Sequence, residues 1–242
     1  MLADFLTALQ FLTTLPPMLR RDSTPAEMGR AMGYYPLVGL LLGAILVGAQ
    51  GLLGWLFPAQ LASALLLALW VALSGGLHLD GFLDACDGLL GGTTPERRLE
   101  IMRDHRIGAF AFTGGALLLL LKFSALASLG DWRLPALLLA PALGRWTMTL
   151  AVFAFPYARP EGLGREMKAH LTWRQVLLAT LAVLAAAWLL AGWRGLTACL
   201  LAALALLALA RFTLTRIPGL TGDIYGAANE IIEALLLVMF CV

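Results

Sequence analysis

Three aspartates, Asp80, Asp84 and Asp87, stand at i, i+4 and i+7 in the stretch GLHLDGFLDACDGLLGG. On a helix that spacing puts them on one stripe of the surface. Carboxylates so arranged repel one another, and the nearest basic residues downstream are Arg97 and Arg98. The stripe therefore calls for a cation. Mg²⁺ suits it, because that ion takes hard oxygen ligands, usually one or two carboxylates together with substrate phosphates. Asp80, Asp84 and Asp87 are the expected metal ligands. Gly81 and Gly88, beside the acids, admit a substrate or another helix close to the backbone. His78 is either a partner for a carboxylate or phosphate or a structural histidine at a helix end.

A second run, TTPERRLEIMRDHRIG, steps Glu96, Glu100 and Asp104 by four, with Arg97, Arg98, Arg103 and Arg106 between them. Thr94 is the expected N-cap and Pro95 the first helical residue. Alone, the run reads as a solvated helix with short-range ion pairs such as Glu100 with Arg103. Beside the aspartate stripe it reads differently: carboxylates for a metal and arginines for phosphate form a set suited to a diphosphate. A third cluster, PGLTGDIYGAANEIIEALL, carries Asp223, Asn229, Glu230 and Glu233. Its two glutamates lie inside an apolar segment, where an ionised side chain is costly and marks function by default. Arg145, near the middle of another apolar segment, needs a membrane carboxylate or a substrate phosphate. Lys122 has a stem long enough to snorkel toward the outer surface.

The elements that position these groups are membrane helices. The 242 residues are 60% hydrophobic and 13% charged, against roughly 45–50% and 25% for soluble domains. Runs such as LLATLAVLAAAWLLAGW have no polar face to turn to water. With about 20 apolar residues per crossing, the chain reads as an all-α, polytopic membrane protein. About seven spans are expected, six being the alternative: 35 to 57, 60 to 78, 108 to 129, 134 to 155, 175 to 192, 195 to 212 and 225 to 242. Thirteen basic residues, beginning with Arg20, Arg21 and Arg30, fall on one set of connections, and only Arg133 and Arg194 on the other. That asymmetry puts the N-terminus and the long loops in the cytoplasm. Fourteen of the fifteen acidic residues, all but Asp131, then lie in the cytoplasmic half or its loops. Residues 1–15 read as an interfacial amphipathic helix rather than a signal peptide, on the spacing of Leu2, Phe5, Leu6 and Leu9. Cys86, Cys199 and Cys241 are scattered and support neither a disulfide framework nor a thiolate metal site. Residues 1–242 form one integral-membrane domain.

Taken in order, FLTTLP, YYPLVGLLLG, GGLHLDGFLDACDGL, RLEIMRDHRIGAFA, APALGRW, YARPEGLG and GLTGDIYGAANEIIE resemble the cobalamin synthase family, the adenosylcobinamide-GDP ribazoletransferases of bacteria and archaea. The blocks run from about residue 5 to residue 233. One departure is Ile217 and Pro218 before GLTGD, where many members carry a further glycine. The resemblance implies a Mg²⁺-dependent enzyme of the cytoplasmic (inner) membrane that joins adenosylcobinamide-GDP to α-ribazole or its 5′-phosphate and releases GMP. It implies lipid and these two substrates as partners and no nucleic acid, and leaves self-association into a homo-oligomer open. On that footing Asp80, Asp84 and Asp87 hold the metal, Glu100 or Asp104 closes the site, and Asp84 or Glu100 takes the proton of the attacking hydroxyl. Arg103, Arg106 and Arg145 contact phosphate, and the segment from Asp223 through Asn229 and Glu230 to Glu233, with His78, binds substrate. The CDP-alcohol phosphotransferases share a D-x2-D-G start with acids at steps of four, but here Gly91 and Gly92 replace their A-R. Prenyltransferases with paired acidic motifs are a weaker rival. A cation transporter would also carry intramembrane glutamates, but would spread its acids through the bilayer depth.

Overall fold

The structure, a computed structural model, describes residues 1–19 and 21–242; Arg20, one of the basic residues weighed above, lies outside them. The chain is all-helical, and among the described residues the one β-type pairing is an isolated bridge between Tyr157 and Leu220. In order the helices are α1 (Leu2–Leu12), α2 (Pro25–Ala31), α3 (Tyr35–Leu56, entered through a 3-10 turn, Met32–Tyr34), α4 (Ala59–Leu73) and α5 (Leu77–Gly91). They continue with α6 (Pro95–Ile101), α7 (Ala109–Ser128), α8 (Arg133–Ala154), α9 (Leu163–His170), α10 (Trp173–Leu214) and α11 (Gly222–Met239).

The centre of the bundle is α8, buried almost continuously from Pro135 to Val152. Apart from Arg145 and two threonines, which hydrogen-bond inside the bundle, α8 between Pro135 and Val152 is apolar on every side, so no face of it seeks solvent. Small residues let its neighbours close in. Gly39 and Gly43 of α3, four apart, face α8 so tightly that a Cβ on Gly43 would come within 2.7 Å of the Leu138 Cα, the small-residue packing typical of membrane helices. The outward faces of α3, α7 and α10 carry exposed Trp55, Leu117, Leu120, Leu189 and Leu200. Such a surface suits lipid.

Among the described residues, four helical stretches are long and apolar enough to cross a membrane: Pro25–Leu56, Ala109–Ser128, Arg133–Ala154 and Trp173–Leu214, or five with α4 and α5 as one broken span. This count falls short of seven for physical reasons. The α4 helix has only 15 residues, α11 carries three acids, and Trp173–Leu214 counts once although it is two helices that meet across a kink at Gly192 (φ 54°), where the spans 175 to 192 and 195 to 212 are expected to part. Trp188 and Trp193, on either side of that break, meet edge to face at 5.4 Å between ring centroids.

Two features position the aspartate stripe. Gly75 and Gly76, at φ 63° and 68°, adopt the left-handed conformation that Gly tolerates without strain, and there α5 turns 89° away from α4. Gly81 and Gly226 then form the crossing of α5 and α11. A Cβ on Gly81 would stand 3.1 Å from the Asp223 Cα, and one on Gly226 would stand 3.0 Å from the His78 carbonyl. At Gly88 the close neighbour is α6, through the Met102 side chain and the Arg98 carbonyl.

Candidate active site

The α5 stripe lines a cleft of about 170 Å³ bounded by Asp80, Leu83, Asp84, Asp87, His105 and Arg106. The three aspartates do not share one environment. Asp87 caps the first turn of α7: its carboxylate accepts from the Gly108 N–H at 2.6 Å and the Ala111 N–H at 2.8 Å. Helix N-termini expose unpaired N–H groups and a positive dipole end, so a carboxylate borrowed from α5 does the work that a local Ser or Asp would do. Asp80 and Asp84 have no side-chain hydrogen bond among the described residues. Two free carboxylates therefore stand where the spacing counts three, and no preassembled group of three ligands exists among the described residues.

The second acidic run is divided by the end of α6. Thr94 accepts from the Arg97 N–H and Pro95 opens the helix, as the sequence predicts. The helix stops at Ile101, so Asp104 leaves the ladder of Glu96 and Glu100. Asp104 instead clamps the Arg106 guanidinium, accepting from Nη2 at 2.6 Å and Nε at 3.0 Å. That clamp holds the Asp104 carboxyl down at about 2 and keeps Arg106 on the cleft. Glu100 pairs with Arg97 at 2.7 Å, not with Arg103. With Glu96, Arg103 and Arg159 it lines a neighbouring groove of about 340 Å³ rather than the aspartate cleft.

Asp223, in the first turn of α11, is brought to this region by the crossing at Gly81. Its carboxylate accepts from Arg159 Nη2 at 2.7 Å and from the Thr221 hydroxyl at 3.1 Å. Sequence reasoning gave Arg159 no place in the site. Its loop is fastened to the α11 approach by Ala158 N–H to the Leu220 carbonyl and Leu220 N–H to the Pro156 carbonyl, each 2.8 Å. The available signal was an arginine inside the Pro- and Gly-rich YARPEGLG block.

Arg145, Asn229, Glu230 and Glu233 are not in the cleft. They form a separate buried network with Lys122. The Lys122 ammonium donates to Glu230 at 2.5 Å and Glu233 at 2.7 Å, and Arg145 donates to Glu233 at 2.9 Å. Asn229 also donates to Glu233, at 2.9 Å. Lys122 is 2% exposed and lies 5.1 Å from the Trp70 ring centroid, so it does not snorkel to a surface. The expected membrane partner of Arg145 is Glu233. Two cations meet two carboxylates, which leaves the cluster neutral, as burial in low dielectric demands.

His78 sits between the two sites, on α5 and fully buried, with neither ring nitrogen hydrogen-bonded among the described residues. It borders a mainly apolar cavity of about 240 Å³ whose wall also includes Asp80 and Asp223. Cleft, groove and cavity thus adjoin through Asp80, Asp223 and the Arg159 that holds Asp223.

Comparison with known proteins matches the sequence to one family. The family model described as cobalamin-5-phosphate synthase (CobS) matches residues 4–241. Proteins named adenosylcobinamide-GDP ribazoletransferase are similar along nearly their whole length. The one from Stutzerimonas stutzeri (strain A1501) is 47% identical, covering 96% of this chain and 95% of its own. The one from Pseudomonas paraeruginosa (strain DSM 24068 / PA7) is 46% identical, covering 98% and 97%. The one from Desulfitobacterium hafniense (strain Y51) is 42% identical, covering 95% and 93%. No solved structure matches. With a match spanning all the helices that build the cleft, the chain belongs to the cobalamin-5-phosphate synthase family.

Proposed function

We propose that this chain joins adenosylcobinamide-GDP to α-ribazole, or to its 5′-phosphate, releasing GMP and forming adenosylcobalamin or its phosphate. The observation that carries this reading is a cleft in which two carboxylates without a hydrogen-bond partner among the described residues, Asp80 and Asp84, share space with the clamped arginine Arg106. Arg106 meets the negative charge of the diphosphate, and Arg103 and Arg159 extend positive charge into the adjoining groove. In the transfer, a ribose hydroxyl oxygen bonds to the phosphorus that carries the cobinamide. The bond from that phosphorus to the bridging oxygen breaks, and GMP leaves with that oxygen and the electron pair. The hydroxyl proton passes to Asp84. Asp104 acts through Arg106, keeping the guanidinium where charge develops.

Asp80 and Asp84 are hard oxygen donors with no competing hydrogen bond, a donor set that fits Mg²⁺ shared with substrate phosphates. Bound there, Mg²⁺ would neutralise the negative charge of the diphosphate and the charge that develops on the departing GMP. Asp87, occupied at the α7 N-terminus, fixes α5 against α7.

The neutral cluster of Lys122, Arg145, Glu230 and Glu233 disfavours a cation path through the bundle, because each intramembrane carboxylate already has a cation. We place the N-terminus, the cleft and the long loops on the cytoplasmic side of the inner membrane. That reading rests on the thirteen-to-two distribution of basic residues on the connections. Seven crossings follow if the two arms of α10 on either side of Gly192 cross separately and α4 and α11 each cross once.

The test is to incubate the purified full chain in membranes with adenosylcobinamide-GDP, α-ribazole and Mg²⁺ and to follow cobalamin and GMP. Wild type forms both in equal amounts, chelation of Mg²⁺ stops the reaction, and Asp84→Asn lowers turnover by about 100-fold or more while inserting normally. Absence of product from intact wild type, or near-normal turnover in Asp84→Asn, overturns the assignment.

A further inference from the structure

Seven elements converge on the 240 Å³ cavity beside the cleft: α1, the 3-10 turn, α3, α5, α8, α9 and α11. We propose that this cavity seats the flat, apolar, bicyclic base of the attacking riboside, and that buried polar groups in its wall recognise the ring nitrogen of that base. The inference rests on the transferase reading above and assigns the nucleophile its place.

Size and lining argue for such a guest. The volume lies just below the range of roughly 300–1,000 Å³ typical of drug-sized ligands. It suits one fused ring system and excludes a corrin macrocycle. The wall is largely thioether, aromatic and aliphatic, with Phe11, Met32, Tyr35, Met148, Val152 and Met167. Phe11 and Tyr35 lie nearly parallel, 6.3 Å apart at 23°, and methionine sulfurs make favourable contacts at ring edges. Aromatic faces and polarisable sulfur suit a planar heterocycle.

The polar groups in this wall lack ordinary partners. Both His78 ring nitrogens and the Tyr225 hydroxyl are buried without a hydrogen bond among the described residues. The Tyr35 hydroxyl, also buried, reaches only the Met167 sulfur at 4.0 Å. Leaving such a group unsatisfied costs about 1–3 kcal/mol, so buried polar atoms are nearly always paired. A base with one accessible ring nitrogen supplies a partner, whereas a lipid acyl chain supplies none.

Position completes the argument. Asp80 lines both the cavity and the cleft, and Asp223 lines the cavity beside Arg159. A base held among Tyr35, Met148 and Met167 therefore presents its sugar to the carboxylates next to the diphosphate. One cavity then fixes which hydroxyl attacks and how large a base is accepted.

The test uses the detergent-purified full chain with two readouts, equilibrium dialysis of labelled α-ribazole alone and steady-state KM for each substrate. Val152→Phe, which fills the cavity, should raise the KM for α-ribazole at least tenfold and leave the KM for adenosylcobinamide-GDP within about twofold. Tyr35→Phe keeps the ring and removes the hydroxyl, and should weaken dialysis binding about fivefold. Met167→Ala, which enlarges the cavity, should shift preference toward ribosides of bulkier bases. Unchanged α-ribazole binding in folded Tyr35→Phe, a KM change confined to the corrinoid, or crosslinking of the cavity by a photoactivatable phospholipid that α-ribazole does not displace would each overturn the inference. Wild type that binds α-ribazole but forms no cobalamin would instead overturn the transferase reading and leave the cavity assignment standing.

Discussion

Replacing Lys122 by Met probes the buried network most directly. The ammonium lies within 2.7 Å of carboxylates from both Glu230 and Glu233, and no part of the cluster is more than marginally exposed. From the start of α7, Lys122 is about 20 Å along the axis, and Glu233 is about 17 Å into α11. Each lies more than a full turn, about 9 Å, from the C-terminal end of its helix. Met preserves the length of the stem and removes the charge, so the loss comes from electrostatics rather than from a cavity. Removing one partner of a buried pair costs about 3–5 kcal/mol, because the charge left behind is uncompensated. At roughly 2–4 °C per kcal/mol for a chain of this size, the unfolding midpoint should fall by about 6–20 °C. The cluster then holds two carboxylates and one cation. Adding Glu230→Gln restores one of each, Glu233 with Arg145, and should recover more than half of the loss. The assay is the tryptophan-fluorescence midpoint of the detergent-solubilised chain for wild type, both single variants and the double variant, read as a double-mutant cycle. If Lys122→Met unfolds within 2 °C of wild type, or if Glu230→Gln recovers nothing, charge balance is not what holds the cluster.

Three further outcomes follow from the cleft. Asp87→Ala uncaps α7 and should cost about 0.5–2 kcal/mol in the same unfolding assay, whereas Asp84→Asn, which removes one of the mutually repelling charges, should not lower the midpoint and should act against turnover alone. Gly226→Val forces α5 off α11 at His78, and should lower the midpoint by an amount equivalent to about 1–3 kcal/mol and depress turnover at least tenfold; normal turnover would mean that the crossing does not set the position of Asp80. Asp104 has a folded-state pKa of about 2, below its ordinary 3.8, because Arg106 hydrogen-bonds its charged form. Its contribution is therefore complete above about pH 4 and is lost as pH falls through about 2. The midpoint difference between wild type and Asp104→Asn should stay constant between about pH 5 and 8 and close only below about pH 3, and a difference that changes between about pH 7 and 5 would contradict the clamp.

What could be read from the sequence tracks the range of the physics. Helix positions follow from apolar run length and local caps, so the expected spans at 35 to 57, 108 to 129 and 134 to 155 meet α3, α7 and α8 within a residue or so of their ends. The Thr94 cap is equally local. Partners are not local. Asp87 is drawn to an N-terminus 21 residues away, Lys122 finds glutamates 108 and 111 residues on, and Arg159 reaches Asp223 across 64. No helical spacing encodes these distances. Three carboxylates on one stripe therefore look alike in sequence, and only the fold brings Asp87 to the start of α7 and leaves Asp80 and Asp84 without a hydrogen bond among the described residues.

The acids divide into two chemistries because of depth. Glu230 and Glu233, buried among helices, persist as ions only with cations of their own, and Lys122 and Arg145 neutralise them there. Asp80 and Asp84, at a cleft, form no ion pair among the described residues. Yet α5 carries His78 as well as Asp80, and α11 carries Asp223 as well as Glu230 and Glu233. The neutral cluster ties α11 to α7 and α8, while Asp87 ties α5 to the same α7. The two helices that carry Asp80, Asp84 and Asp223 are thus anchored to one framework. A rigid base is what electrostatic catalysis requires, since charges held in place at the reacting phosphorus need no reorganisation as the bond breaks.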